Sequence, residues 1–137
     1  MIVVDANVVV HLSIPGPRAA EAAALLRQAP DWAVPFLCLS EFRNVLMGYV
    51  RGRQISPRRA LALASAAEDL LRDREFRPRS DRVLQLAEAS GCTAYDCEYV
   101  ALAEELSVPL VTSDRQILRA FPETAISLEK AVATGGR

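Results

Sequence analysis

The chain has 137 residues, 51% hydrophobic and 24% charged, which excludes a mostly disordered polypeptide and is enough to bury a core without disulfides or a structural metal. Its formal net charge of −1 by itself predicts neither a nucleic-acid nor a membrane partner. The three cysteines, Cys38, Cys92 and Cys97, are odd in number and lack a C-x-x-C spacing, so neither a disulfide framework nor a zinc site is expected. They read as small buried hydrophobes in a reducing compartment. No apolar stretch approaches the ~18–20 residues of a membrane span, and an N-terminus that lacks a basic region and carries Asp5 makes a poor signal peptide. A soluble, cytoplasmic protein is the expectation.

In chain order, IVV at 2–4 reads as a short buried strand, while VVVHL at 8–12 fits either its continuation or a first helical turn. IPGP at 14–17 is a break, with Pro17 suited to the first turn of an Ala-rich helix that stops before Pro30. WAVP at 32–35 reads as a second strand. Leu39, Phe42, Val45, Leu46 and Tyr49 then recur at helical spacing. Ser56-Pro57 is an N-cap and N1 pair opening a helix to about Leu71. Glu75–Arg77 is a short strand, and Ser80 caps a helix closed by Gly91. Tyr95–Leu106 is a helix turning Val100, Ala103 and Leu106 inward, followed by a buried strand at 108–112 and a short helix at 114–120. A last strand at 124–127 and a final turn or two of helix at 128–133 lead into a flexible tail at 134–137. Strands alternating with helices predict one α/β domain over 1–133 with a mainly parallel sheet.

Sites in open parallel sheets form beyond the carboxyl ends of strands, where strand order reverses. Asp5 and Asp114 stand at two such ends, and Glu41 and Asp96 sit on helices among apolar neighbours. Singly, Asp96 and Asp114 read equally well as N-caps, and Glu41 as a half-exposed helix residue. Asp5 is the hardest to dismiss, because an acid in an apolar run needs a partner, an Arg or a metal. If several of these acids meet, they raise each other's pKa, and a hard divalent cation such as Mg²⁺ relieves the repulsion. Such a site suits metal-assisted phosphodiester hydrolysis.

Absences narrow the field. With His11 the only histidine, a histidine-pair ribonuclease mechanism is excluded. There is no G-x-S-x-G elbow, P-loop or G-x-G-x-x-G, and a D-x-D phosphatase would find Asn7 at its second position.

The ordered set VVDANVVV, LSEFRNVL and TAYDCEYVALAEELSVPLVTSDRQIL resembles the PIN-domain family, and within it VapC-like toxins of prokaryotic toxin–antitoxin pairs, over roughly residues 2–128. The resemblance implies a three-layer α/β/α fold and an acidic pocket binding Mg²⁺ or Mn²⁺. It also implies endoribonuclease activity on RNA, checked by a cognate antitoxin. Carried across by position, the family's metal-site acids fall on Asp5, Glu41, Asp96 and Asp114. Asp5, Asp96 and Asp114 are the expected ligands. Glu41 is expected beside them as a ligand or as a general base. Asn7 and Thr112 match supporting polar positions, although many relatives have Ser or Thr where Asn7 stands.

Phe42 to Ala67 holds no acid but carries Arg43, Arg51, Arg53, Arg58 and Arg59, a cluster that could neutralise an RNA backbone or simply be a solvated face. Apolar surface on the helices at 19–29 and 36–50 is either core, a groove for an antitoxin helix, or a homodimer contact. The rival function is a non-catalytic PIN-like module binding RNA or protein. A PIN nuclease of RNA processing is a third reading, against which the small single-domain size favours the toxin.

Overall fold

A computed structural model describes residues 1–135. The strands are β1 (Ile2–Val4), β2 (Trp32–Pro35), β3 (Glu75–Phe76), β4 (Leu110–Thr112) and β5 (Ala125–Ser127). The helices are α1 (Ala6–Ser13), α2 (Ala19–Gln28), α3 (Leu37–Arg51), α4 (Pro57–Leu70), α5 (Ser80–Ser90), α6 (Ala94–Leu106), α7 (Arg115–Ala120) and α8 (Leu128–Ala133). All strand pairings are parallel, in the order β3-β2-β1-β4-β5. The alternating pattern predicts such an α/β domain with a mainly parallel sheet, the resemblance implies its three-layer α/β/α form, and the sheet is parallel throughout.

Parallel strands covered on both faces must be apolar along their whole length. β1, β2 and β4 meet that requirement, every residue of each being buried. β1 is central, with Val3 opposite Ala33 on one side and Val4 opposite Val111 on the other. Strand order therefore reverses between β1 and β4, and the crevice beyond their carboxyl ends is where such a sheet opens to a ligand. α6 crosses β1, β2 and β4, with α5 packed on it. An unbroken run from Tyr99 to Ala103 is buried, because this helix lies between the sheet and α5. α1, α2 and α8 form a second cluster, in which α1 and α8 rest on β4.

Several local expectations change. Residues 8–12 are helix: α1 begins directly after Asp5, which holds the extended cap position and accepts the Val8 N–H at its carbonyl. Pro17 lies in the turn before α2, whose first helical residue is Ala19. Arg79, not Ser80, is at the N-cap of α5; Asp81 in the first turn instead accepts the Arg82 N–H and pairs with Arg79 at 2.6 Å. Gly91 does close α5, in the left-handed conformation with φ 75°. Val45 is exposed and Tyr49 only half-buried, so the inward stripe of α3 is Cys38, Leu39, Phe42 and Leu46. In the expected tail, Thr134 and Gly135 hydrogen-bond back to the last turn of α8, and residues 136–137 lie outside the described residues. The three cysteines are buried and free, and burial pushes the Cys38 thiol up to about 12. Among the described residues no helix is long and apolar enough to cross a membrane.

Candidate active site

Each acid singled out in the sequence reaches the crevice from a different element. Asp5 follows β1, Glu41 lies on α3, Asp96 in the first turn of α6, and Asp114 at the start of α7. Asp5 is buried, at 8% exposure, and the other three are half-buried. Their charges meet. Burial, and then the Glu41 and Asp96 carboxylates, hold the Asp5 carboxyl up at about 6 against the lowering bonds from Thr112 and Ala6. Burial and the Asp96 charge raise Glu41, and burial and the Asp114 charge raise Asp96. Carboxylates that raise one another in this way, with no ion pair to them among the described residues, carry a repulsion that a cation would relieve.

A polar net braces Asp5. The Thr112 hydroxyl donates to its Oδ2 at 2.7 Å and Asn7 Nδ2 donates to the same oxygen at 3.2 Å. Thr112 Oγ1 in turn accepts the Asp114 N–H at 3.0 Å, and Asn7 Oδ1 accepts the Ser113 N–H at 3.3 Å. Both predicted supporting residues thus tie the end of β1 to the end of β4. The two cap readings separate. Thr93 caps α6, accepting the Asp96 N–H at 3.0 Å, so the Asp96 carboxylate has no capping duty. Asp114 does cap α7, Oδ1 accepting from Gln116 and Ile117, and Oδ2 takes no hydrogen bond among the described residues.

Two participants are absent from the sequence reading. Tyr99, 1% exposed, donates its hydroxyl to Glu41 Oε1 at 2.5 Å, bridging α6 to α3. Its position one turn after Asp96 is a signal available in the sequence, since i and i+3 share a helix face. Arg18 Nη1 donates to Ser113 Oγ at 3.2 Å, a contact across 95 positions that no local pattern announces. The expected arginine cluster stands apart. Arg43 is exposed, bonds Ser40, and lies two residues from Glu41, about 200° around the helix. Arg51, Arg53, Arg58 and Arg59 are exposed around the α3–α4 turn, which begins about 15 Å along the helix from Glu41. Half-buried His11 is held below its ordinary pKa by burial and then by the Arg18 charge.

The donor set is carboxylate, hydroxyl and amide oxygen, which fits a hard cation such as Mg²⁺ or Mn²⁺ and not a soft one. Among the described residues no group of three or more His, Cys, Asp or Glu side chains stands close enough, as placed, to hold a metal ion by itself. A cation that retains several waters, as Mg²⁺ does, requires no such group.

Residues 2–122 match the family model of the PIN domain. The chain belongs to the PIN-domain family. A PIN domain is accordingly the frame for the site just described, since the matched span contains all four acids, Asn7, Thr112, Tyr99 and Arg18. The chain is also similar to Ribonuclease VapC3 of Pyrobaculum aerophilum, 28% identical over 124 residues, covering 88% of this chain and 95% of that one. Among solved structures it is similar to PAE2754 of Pyrobaculum aerophilum, with TM-score 0.79 and 24% identity over 98% of this chain and 93% of that one. FitAcB of Neisseria gonorrhoeae has TM-score 0.70 and 17% identity over 94% and 99% of the two chains. At these identities the structural likeness establishes the PIN fold.

Proposed function

We propose that this PIN domain is a metal-dependent endoribonuclease that cleaves single-stranded or structured RNA, acting in the cytoplasm as the toxin of a toxin–antitoxin pair. The observation that carries the reading is Asp5: a buried carboxyl raised to about 6, at the switch point of a parallel sheet, in the field of two further acids. A relative named Ribonuclease VapC3, matched over 88% of this chain, supports the RNA substrate and the toxin role.

Asp5, Asp96 and Asp114 would hold Mg²⁺ or Mn²⁺. Held there, the cation would supply Lewis acidity for the attacking water and positive charge for the scissile phosphate. The chain supplies the rest. Thr112 and Asn7 fix the Asp5 carboxylate from the β4 side of the crevice. Tyr99 pins one oxygen of Glu41, leaving the other to orient the attacking water and take its proton. Burial raises Glu41 above the ordinary carboxylate pKa, the direction that makes it a better proton acceptor. A cognate antitoxin and a second copy of the chain are the proposed protein partners. Exposed Phe36 and Met47 at α3 and Leu61 on α4 are apolar surface available to them.

The test is cleavage of a labelled single-stranded RNA by purified protein with Mg²⁺ or Mn²⁺, with EDTA, and by Asp96→Asn. Metal-dependent cleavage that disappears in the variant is the expected result. Equal behaviour of wild type and variant, with no metal binding by calorimetry, overturns it in favour of a non-catalytic RNA- or protein-binding module. The toxin role is tested by growth arrest on expression and its relief by the product of a small adjacent gene.

A further inference from the structure

This inference rests on the nuclease reading and concerns what holds the RNA in that site. We propose that Arg18 binds the phosphodiester backbone of the RNA beside the acidic crevice, and that it, rather than the arginines at 43–59, is the primary phosphate contact. A substrate phosphate approaching four carboxylates is repelled until positive charge is placed next to them. Among the described residues Arg18 is the one arginine bonded into the net that holds Asp5, Asn7, Thr112 and Asp114, through Ser113 Oγ at 3.2 Å.

The other arginines with side-chain hydrogen bonds are committed elsewhere: Arg72, Arg74, Arg79 and Arg82 to carboxylates, Arg43 to Ser40, and Arg119 to a carbonyl of its own helix. Arg18 forms no ion pair among the described residues and spends one N–H of its fork on Ser113. A planar guanidinium with donors to spare is the group that grips a phosphate in two places. It is also held in advance. Arg18 is half-buried and follows Pro15-Gly16-Pro17, two prolines that restrict the turn between α1 and α2, so less freedom is lost on binding.

The experiment is fluorescence anisotropy of a short labelled single-stranded RNA with Mg²⁺ over a range of salt, all variants built on Asp96→Asn so that the RNA survives. Arg18→Ala is expected to weaken binding about tenfold and flatten the log-affinity slope against log salt by about 0.7, one single-strand phosphate contact. Arg18→Lys restores part of the affinity as a point charge without the fork. Arg43→Ala and Arg58→Ala change affinity less than about threefold, as distant charges do. Melting curves check folding, and Arg18→Gln replaces Arg18→Ala if the latter is misfolded. Binding within about twofold of the parent for Arg18→Ala overturns the inference, as does an equal loss for all three arginines, which marks diffuse attraction. The two readings fail separately. RNA binding that depends on Arg18 without any metal-dependent cleavage by wild type keeps the inference and removes the nuclease, whereas cleavage untouched by Arg18→Ala does the reverse. A parent that binds no RNA overturns both.

Discussion

Asp5 is a carboxyl whose burial works against the fold that carries it. Its folded pKa, about 6, lies above its unfolded value of 3.8, so the metal-free folded protein holds that proton more tightly than the unfolded chain. The stability it contributes is full below about pH 4 and is lost as pH rises through about 6, a loss of up to about 3 kcal/mol for a shift of this size. Raised pKa values at Glu41 and Asp96 act in the same direction. Asp5→Asn is therefore expected to melt higher than wild type at pH 7 in EDTA and to match it near pH 4, while abolishing cleavage. Thermal unfolding across that range checks it, and a variant less stable at both pH values argues against mutual repulsion. At Tyr99 the expected effect is catalytic as well as structural. Tyr99→Phe removes the 2.5 Å bond to Glu41 and is expected to cost about 1–2 kcal/mol of stability. It should lower kcat about tenfold with KM little changed, as an ill-held general base would; steady-state kinetics separates the two constants.

At the scale of elements, caps decide where helices begin and which acids remain free. Thr93 takes the cap of α6, so the Asp96 carboxylate, in the first turn, has no helix end to cap, whereas Asp114 both caps α7 and lies at the site. Asp114→Asn keeps a side-chain oxygen for Gln116 and Ile117 and is expected to stay within about 0.5 kcal/mol of wild-type stability while losing activity. Asp114→Ala loses about 1 kcal/mol more along with the activity. Denaturant midpoints for the pair separate cap from site. Gly91 marks the other kind of terminus. With φ 75° it closes α5 in a conformation that costs a side chain about 1 kcal/mol, so Gly91→Ala should destabilise by that amount although nothing crowds its Cβ position.

Across the whole molecule, the order β3-β2-β1-β4-β5 brings residues from the two ends of the chain together. Thr112 and Asp5 share a hydrogen bond across 107 positions, and β1 is the centre of that convergence because the sheet grows from it to β2 and β3 on one side and to β4 and β5 on the other. A cation bound at the crevice competes with protons for its carboxylates. The rise in melting temperature on adding Mg²⁺ should therefore grow between pH 5 and pH 7.5 and be cut sharply in Asp96→Asn; scanning calorimetry at both pH values checks it.

The sequence by itself determined what local chemistry controls. Apolar β-branched runs marked the strands, Ser56-Pro57 and Gly91 marked helix ends, and Asp5 stood out because an acid inside VVDANVVV cannot be indifferent to its surroundings. Four acids in a family-like order, within residues 2–122, pointed to the PIN domain that the comparisons bear out. Tertiary structure decided the rest. Whether VVVHL continued a strand or began a helix depended on Asp5 turning the chain at the carboxyl end of the central strand, which periodicity over five residues cannot report. Tyr99 shares a helix face with Asp96, but its bond to Glu41 across 58 positions and that of Arg18 to Ser113 across 95 came only from packing, which leaves no spacing rule in the chain. Charge counted along the sequence left arginines 43–59 open between an RNA contact and a solvated face, and helix geometry adds that Arg43 points away from Glu41 while Arg51 lies about 15 Å farther along α3.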